Sequence, residues 1–252
     1  MLPIERRNEI LRELMLDGKV VVSELAERYD VTEETIRRDL EKLEADGYAK
    51  KTYGGAVRND TVTSDLPYTV RKQTNVGGKK YIGERIGELI RDGNSLLLDS
   101  STTALFTVKS IFSKQRLTLV TNSVELLLDL PQNHDWNIVS TGGLYKSESM
   151  AFYGNAAQET IAKYHVDYAV LSCKGMDMDG GLTDTREVFA DMKKIFLRSA
   201  RKVVLAVDHT KFDTVSFVKF GDLDSVDIVV TDVEPDERWK RFFEEKNIEL
   251  YF

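Results

Sequence analysis

The chain has 252 residues, 42% of them hydrophobic, and a formal net charge of −7. A chain of this length can bury a full core and can hold one or two domains. The excess of acidic residues argues against a protein whose whole surface is built for nucleic acid. The single cysteine, Cys173, excludes an internal disulfide.

The start of the chain does not resemble a secretory signal, because charged residues arrive at Glu5, Arg6 and Arg7. No apolar stretch approaches the length needed to cross a bilayer. The lone cysteine fits a reducing compartment. We therefore expect a cytoplasmic protein with no membrane partner.

Residues 1–57 have the pattern of a small helical domain that ends in a hairpin. Pro3 suits the first turn of a helix that runs to Asp17. Ser23 is a candidate N-cap for a short second helix, Glu24 to Tyr29. A brief turn then leads to a longer third helix and two short strands, a succession that predicts a winged helix-turn-helix.

The third helix is expected to begin after Thr32, a good N-cap residue. Ile36, Leu40 and Leu43 lie on one stripe and predict its buried side. Gly47 is suited to end the helix in a left-handed conformation. Residues 48–57 then predict a small basic hairpin, and a helix with exposed arginines beside such a hairpin suits the major groove and its phosphates.

Basic residues are concentrated in one part of this domain. Residues 1–57 hold ten basic and thirteen acidic residues, a net charge of −3, but five of the ten lie between Arg37 and Lys51. The DNA-binding interpretation therefore depends on a local basic edge; a charged face that is merely solvated is the alternative. The candidate contacts to operator DNA are Thr32, Glu34, Thr35, Arg37, Arg38, Lys42, Lys50, Lys51 and Tyr53.

After this domain we expect a linker at residues 58–78, with one short ordered piece near Tyr68, and a helix from Lys79 to Ile90. Residues 79–252 then alternate apolar runs with helical stretches, which predicts a mostly parallel α/β sheet. The seven predicted strands are Leu96–Leu98, Leu117–Val120, Asn137–Val139, Tyr168–Leu171, Val203–Val207, Asp227–Val230 and Ile248–Tyr251.

Small polar residues follow several of these strands. In an open α/β sheet, ligands bind outside the carboxyl ends of the strands, and hydroxyls and N–H groups at a helix start hold phosphate well. The recurrence of such turns predicts an anion site; simple helix caps are the alternative. The candidates in these turns are Asp99, Ser100, Ser101, Thr102, Thr103, Thr121, Asn122, Gly142 and Gly143.

Two later loops add charged candidates to the same site. Lys174 and Asp177 follow one strand, and Lys211 follows another. The lysines could bind an anion, and the carboxylate could accept sugar hydroxyls. Surface carboxylates and a solvated lysine are the alternatives. The three histidines, His134, His165 and His209, lack metal-ligand spacing with each other and with Cys173. We expect neither a metal nor an organic cofactor.

The helix and hairpin carry an ordered motif: Thr35-Ile36-Arg37-Arg38-Asp39-Leu40, then Leu43, Gly47 and Lys51-Thr52-Tyr53-Gly54-Gly55-Ala56. It resembles the signature of the DeoR family of bacterial transcriptional repressors. The family usually has arginine where Lys51 stands, so a phosphate contact there keeps its charge but loses the bidentate fork.

The resemblance extends through the second domain. Its landmarks are Asp99 to Thr103, Thr121-Asn122-Ser123, Gly142-Gly143, Gly154, Asp167, Gly175, Gly181-Leu182-Thr183, Lys193 and Asp208 to Phe212. The family's sensor domain is similar in fold to ribose-5-phosphate isomerase and the coenzyme A transferases, and it binds a phosphorylated sugar or related metabolite. Ser101, where glycine is common, and Cys173-Lys174 depart from the family pattern.

The resemblance implies a non-enzymatic repressor that a phosphorylated sugar releases from operator DNA. A homodimer or tetramer would space two recognition helices about one DNA turn apart. The alternative is an isomerase-type enzyme with a DNA-binding appendage, for which Asp177 or Glu187 would be the base. An activator is a third possibility.

Overall fold

The structure is a computed structural model and describes residues 1–59, 66–130 and 135–252. It contains two compact units, Met1–Thr74 and Asn75–Phe252. The sequence instead predicts a linker over residues 58–78, part of which (60–65) lies outside the described residues. A helix at residues 68–73 agrees with the short ordered piece expected near Tyr68 and places its buried Val70 in the core of the first unit.

The first unit contains four helices and three short strands among its described residues. They are α1 (Pro3–Asp17), β1 (Lys19–Val21), α2 (Val22–Tyr29), α3 (Glu33–Ala45), β2 (Ala49–Thr52), β3 (Gly55–Arg58) and α4 (Tyr68–Gln73). The strands form an antiparallel sheet in the order β1-β3-β2. This succession confirms the predicted winged helix-turn-helix.

The ends of α2 and α3 show which cap predictions were right. The Thr32 hydroxyl accepts the Thr35 N–H at 3.3 Å, which confirms the N-cap of α3, and Gly47 has the predicted positive φ of 85°. The Ser23 cap was wrong, since α2 begins at Val22. The reason is that the Val22 N–H donates to the carbonyl of Gly54, at the tip of the hairpin, over 2.8 Å, and the chain turns from β1 into the helix at this bond.

A buried ion pair joins α1 to α3. The Asp39 carboxylate lies 2.6 Å from Nε of Arg6 and 3.4 Å from an Nη of Arg7, and Arg6 and Asp39 are both buried. The sequence analysis missed this pair. Its consequence is that two of the ten basic residues of the domain are neutralised inside it.

The second unit begins with α5, and its elements follow in an α/β succession. They are α5 (Val76–Leu89), β4 (Ser95–Leu98), α6 (Thr102–Ser110), β5 (Thr118–Thr121), α7 (Val124–Asp129), β6 (Asn137–Ser140), β7 (Leu144–Lys146), β8 (Ala151–Tyr153), α8 (Asn155–Ile161), β9 (Val166–Leu171), β10 (Gly175–Asp177), β11 (Gly181–Asp184), α9 (Glu187–Phe196), β12 (Ala200–Ala206), β13 (Val218–Gly221), β14 (Ile228–Val230), α10 (Glu237–Glu245) and β15 (Glu249–Tyr251).

Seven of these strands form one parallel sheet in the order β15-β14-β12-β9-β4-β5-β6. They are the seven strands that the apolar runs predict. One face packs on α5, α6 and α7 through residues such as Ile82, and the other packs on α8, α9 and α10 through residues such as Phe196. Strands covered on both faces read as continuous apolar runs, and this confirms the predicted fold class.

The shorter strands were not predicted, because three or four residues carry little periodicity. β7 pairs with β8, and β10, β11 and β13 form a second antiparallel sheet. The start of α5 also differs from the predicted Lys79: Asn75 caps the helix and places Gly77 and Gly78 in its first turn. In the part of the chain that the structure describes, no helix is long and apolar enough to span a bilayer.

The two glycines at the hairpin tip make a matched test of the fold. A Cβ on Gly55 would clash with the Val20 carbonyl of the neighbouring strand, whereas a Cβ on Gly54 would meet no atom within 4 Å. We expect Gly55→Ala to destabilise the first unit by about 2 kcal/mol through overpacking. Gly54→Ala serves as the control and should change stability little. Urea unfolding of both variants measures this, and equal midpoints would contradict the assigned strand pairing.

Candidate functional site

The exposed side of α3 carries the predicted arginines. Arg38 is exposed, and its Nε lies 3.3 Å from a carboxylate oxygen of Glu34; Arg37 pairs with Glu33 at 2.5 Å. Both pairs are spaced four residues apart on the helix, and all four side chains are largely exposed. Exposed pairs of this kind contribute about 0–1 kcal/mol, so a DNA phosphate or base can replace either carboxylate at little cost.

The hairpin places further basic residues beside the helix. The Lys51 ammonium lies 2.9 Å from Glu41 of α3 and, with that hydrogen bond, lowers the pKa of the Glu41 carboxyl. The Lys51 N–H also donates to Glu44 at 2.8 Å, which ties β2 to α3. Tyr53 stands fully exposed at the hairpin tip. Helix and hairpin therefore present their side chains on one connected surface.

Of the nine predicted DNA-binding residues, eight are exposed and Thr35 is half-buried. The Thr35 hydroxyl lies 3.0 Å from that of Thr32 at the start of the helix. Among the described residues, Lys42 and Lys50 form no ion pair. The arrangement brings a helix start, exposed arginines and hairpin lysines together, which is the chemistry that duplex DNA requires.

In the second unit, the strand order reverses between β4 and β9, since β4 is followed by β5 on one side and β9 by β12 on the other. Asp99 lies at this point, directly after β4. One of its carboxylate oxygens accepts the Ser101 N–H at 2.9 Å, and the other accepts the Ser172 N–H at 3.1 Å. Asp99 therefore joins the two loops that border the crevice predicted for such a reversal.

A lysine from α9 sits between two buried carboxylates at this crevice. The Lys193 ammonium lies 2.5 Å from Asp184 and 4.0 Å from Asp99. Burial disfavours the ammonium, but the two carboxylates outweigh it and raise the pKa of Lys193. Burial likewise opposes ionisation of Asp184, while Lys193 and Lys174 lower its pKa below the usual value. Lys193 and Asp184 are therefore both charged at neutral pH.

A second charged group follows β12. The Lys211 ammonium lies 3.9 Å from the Asp208 carboxylate and 2.9 Å from the Thr210 hydroxyl. Burial opposes ionisation of Asp208, but Lys211, hydrogen bonds from Thr210 and nearby Lys79 lower its pKa. Both ammonium groups therefore favour the ionised form of this carboxylate.

Cys173 lies between these two groups, near enough to Lys193 and Lys211 for both charges to act on its thiol. Burial raises the pKa of the thiol to about 12. It is therefore protonated at neutral pH and is not a nucleophile. The sequence analysis did not propose Asp184 or Lys79 as site residues, and Lys193 and Asp208 entered only through the resemblance.

The predicted hydroxyl residues separate into two groups. Ser100 is half-buried, and its Oγ lies 3.1 Å from Oη of Tyr153. Ser101 caps α6 by accepting the Ala104 N–H at 3.0 Å, and Thr121 donates to the Leu98 carbonyl at 2.8 Å. Ser101 is therefore a helix cap, as the alternative interpretation proposed, and the Thr121 hydroxyl is bonded within the protein. The side chains of Thr102 and Thr103 are buried in the first turn of α6.

The remaining predicted residues lie in tight turns or loops. Asn122 donates to the Phe152 carbonyl at 3.1 Å, and Asp177 accepts the N–H groups of Asp179 and Gly180 at 3.0 and 2.7 Å. Gly142 and Gly143 have positive φ values of 61° and 110°. A Cβ on Gly143 would lie 2.6 Å from the Tyr153 carbonyl, so glycine is required there by close approach to β8.

Within residues 1–59, 66–130 and 135–252, no three His, Cys, Asp or Glu side chains are grouped as metal ligands. His134, one of the histidines considered above, lies outside these residues. Glu187, the other base considered for an isomerase, is an exposed residue in the first turn of α9.

Comparison with known proteins adds independent support for both units. Residues 6–62 match the model of the DeoR-like helix-turn-helix domain, and residues 74–233 match that of the DeoR C terminal sensor domain. Among solved structures, a ribose 5-phosphate isomerase from Plasmodium falciparum is similar over 54% of this chain and 52% of its own, with 13% identity and a TM-score of 0.38.

Several relatives match nearly the whole chain. The HTH-type transcriptional regulator YulB of Bacillus subtilis is 34% identical over 99% of this chain and 96% of its own length. The glycerol-3-phosphate regulon repressor of Escherichia coli is 30% identical over 92% and 91%, and the L-fucose operon activator of Haemophilus influenzae is 29% identical over 95% and 96%. The chain therefore belongs to the DeoR family and is a DNA-binding transcriptional regulator.

Proposed function

We propose that this regulator represses a carbohydrate-utilisation operon and is released from its operator by a phosphorylated sugar. The observation that carries the proposal is the two groups of lysines and carboxylates at the crevice of the second unit. In one group, Lys193 pairs with Asp99 and Asp184, and Lys174 also acts on Asp184. In the other, Lys211 lies beside Asp208, and its side chain is 29% exposed while that of Asp208 is 7% exposed.

A sugar phosphate has groups that match these. Its phosphate would meet the partly exposed Lys211 ammonium, and N–H groups in the first turn of a helix such as α6 also favour an anion. Its hydroxyls fit the group around Lys193, where Tyr153, Ser100 and Asp184 offer donors and acceptors. Among relatives, the glycerol-3-phosphate regulon repressor supports a phosphorylated ligand and negative regulation.

The twelve predicted effector residues take different parts in this proposal. Ser100, Lys174, Lys211 and the backbone of Gly142 and Gly143 would contact the effector. The main-chain N–H groups of Thr102 and Thr103 would face its phosphate, while Ser101 donates its own N–H to Asp99 and caps α6. Asp99, Thr121, Asn122 and Asp177 would hold the loops in place, since their side chains already bond within the protein.

For the DNA complex we assign α3 to the major groove and the β2–β3 hairpin to the adjacent backbone. A homodimer or tetramer would present two copies of α3 about one helical turn apart. The effector would bind more tightly to the arrangement that misaligns them, and its differential affinity sets the size of the response.

Arg38→Ala should weaken binding to an operator selected from a random library by about 1–3 kcal/mol and relax base preference at one position. Lys51→Ala is the matched comparison: it should weaken all sequences alike and lower the salt slope by about one. Fluorescence anisotropy at several salt concentrations measures both. Operator binding by Arg38→Ala equal to that of the wild type would contradict the assignment of α3.

Lys211→Ala should abolish the thermal stabilisation that a sugar phosphate gives the protein, because the phosphate loses the ammonium proposed to bind it. Lys202→Ala is the control, since Lys202 lies near the start of β12, away from the carboxyl end that leads to Lys211, and pairs with Glu249. Differential scanning fluorimetry with ribose 5-phosphate, fructose 6-phosphate and glycerol 3-phosphate measures the shifts. Equal shifts in both variants would place the anion site elsewhere.

A further inference from the structure

The carboxylate of Asp232, two residues after β14, holds two segments that are distant in sequence. Its Oδ2 accepts the Asn75 side-chain N–H at 2.7 Å. Its Oδ1 accepts the His209 main-chain N–H at 2.8 Å, and the His209 ring nitrogen Nδ1 lies 3.1 Å from Oδ2. The Asp232 side chain is only 5% exposed, whereas that of His209 is 53% exposed.

The first of these segments is the start of the second unit. Asn75 is its first residue and the N-cap of α5, where its side-chain oxygen accepts the Gly78 N–H at 3.3 Å. Asn75 has φ 48° and ψ 47°, a left-handed backbone conformation that is uncommon for residues other than glycine. A Cβ on Gly78 would clash with the Asp232 carboxylate, so this turn packs directly on it.

The second segment belongs to the crevice. His209 begins the single turn His209–Lys211 that follows β12, between Asp208 and Lys211. These are the charged residues at the end of the crevice assigned to the phosphate. A ligand that draws Lys211 toward itself acts on this turn, and the turn is attached to Asp232 through its first N–H and its ring.

We propose that Asp232 is the positioning residue that transmits effector binding from the His209–Lys211 turn to Asn75. The proposal rests on the function proposed above and specifies how its site is coupled to the beginning of the second unit. Asn75 has a left-handed backbone conformation, and its side chain donates one hydrogen bond to the Asp232 carboxylate. A shift of that carboxylate changes the balance between this conformation and others, and with it the direction in which the chain enters α5.

Hydrogen exchange of the full chain, without ligand, tests the coupling. Asn75→Gly keeps the positive φ accessible but removes the bond to Asp232. We expect hydrogen exchange to become about ten-fold faster in two places, the first turn of α5 and residues 209–212. The first turn of α5 loses its bond to Asp232, and residues 209–212 are bonded to a carboxylate that has lost its other partner. Asp232→Asn, which preserves shape and removes the charge, should accelerate the same two segments.

Ser123→Gly is the matched control, because it removes another N-cap of the same unit, at the Leu126 N–H beside β5. It should leave residues 209–212 unchanged. Acceleration confined to α5 in Asn75→Gly would overturn the proposal, as would equal acceleration of residues 209–212 in Ser123→Gly.

Inorganic phosphate, used as the probe, separates this proposal from the proposed function. In the wild type it should slow exchange both at residues 209–212 and in the first turn of α5. In Asn75→Gly the slowing should remain at residues 209–212 and disappear from α5; slowing retained in both segments would overturn the coupling. If phosphate leaves residues 209–212 unchanged in the wild type, the proposed anion end is wrong, and the ligand-free comparison still decides the coupling.

Discussion

The Asp99 carboxylate accepts N–H groups from the loops that follow β4 and β9, at the point where the order of the parallel strands reverses. Both loops would otherwise carry unsatisfied N–H groups at the bottom of a crevice. Because this carboxylate is buried, it needs a cation nearby, and Lys193 provides one while also pairing with Asp184. The charge distribution of the candidate effector site follows from this arrangement.

Ion pairing also limits the first unit, since its basic residues are few and some are already paired with a carboxylate inside it. Arg6 and Arg7 are engaged by Asp39, and the proposed DNA contacts are exposed groups on α3 and the hairpin. Each such contact contributes about 1–3 kcal/mol when it reads a base. A regulator with few contacts loses most of its affinity when a small change in geometry removes one or two of them, which suits release by a metabolite.

Much of this architecture was predictable from the sequence, because its signals are local. The seven parallel strands are continuous apolar runs, Thr32 and Gly47 mark the ends of α3, and the Gly54-Gly55 pair marks the hairpin. Side-chain roles were less predictable, because they depend on partners distant in sequence. Asp99 and Asp177 have the composition of a ligand site, yet their oxygens accept backbone N–H groups. Asp184 and Asp208 gained importance only when the fold brought lysines beside them.

The domain boundary shows the same limit. Residues 58–78 are polar and mixed and end in the Gly77-Gly78 pair, which predicts a linker, but Val70 is buried in the first unit and Gly78 packs on Asp232 in the second. Glycine has two uses, flexibility and close approach, and only the neighbouring atoms distinguish them.

The central claim is that effector and operator bind to different arrangements of one protein, and thermodynamic linkage tests it directly. Isothermal titration would measure the affinity for the sugar phosphate that stabilises the protein most, with and without saturating operator DNA. The account predicts that operator DNA weakens sugar phosphate binding by the same factor by which the sugar phosphate weakens operator binding. An affinity for the sugar phosphate that is unchanged by operator DNA would contradict it.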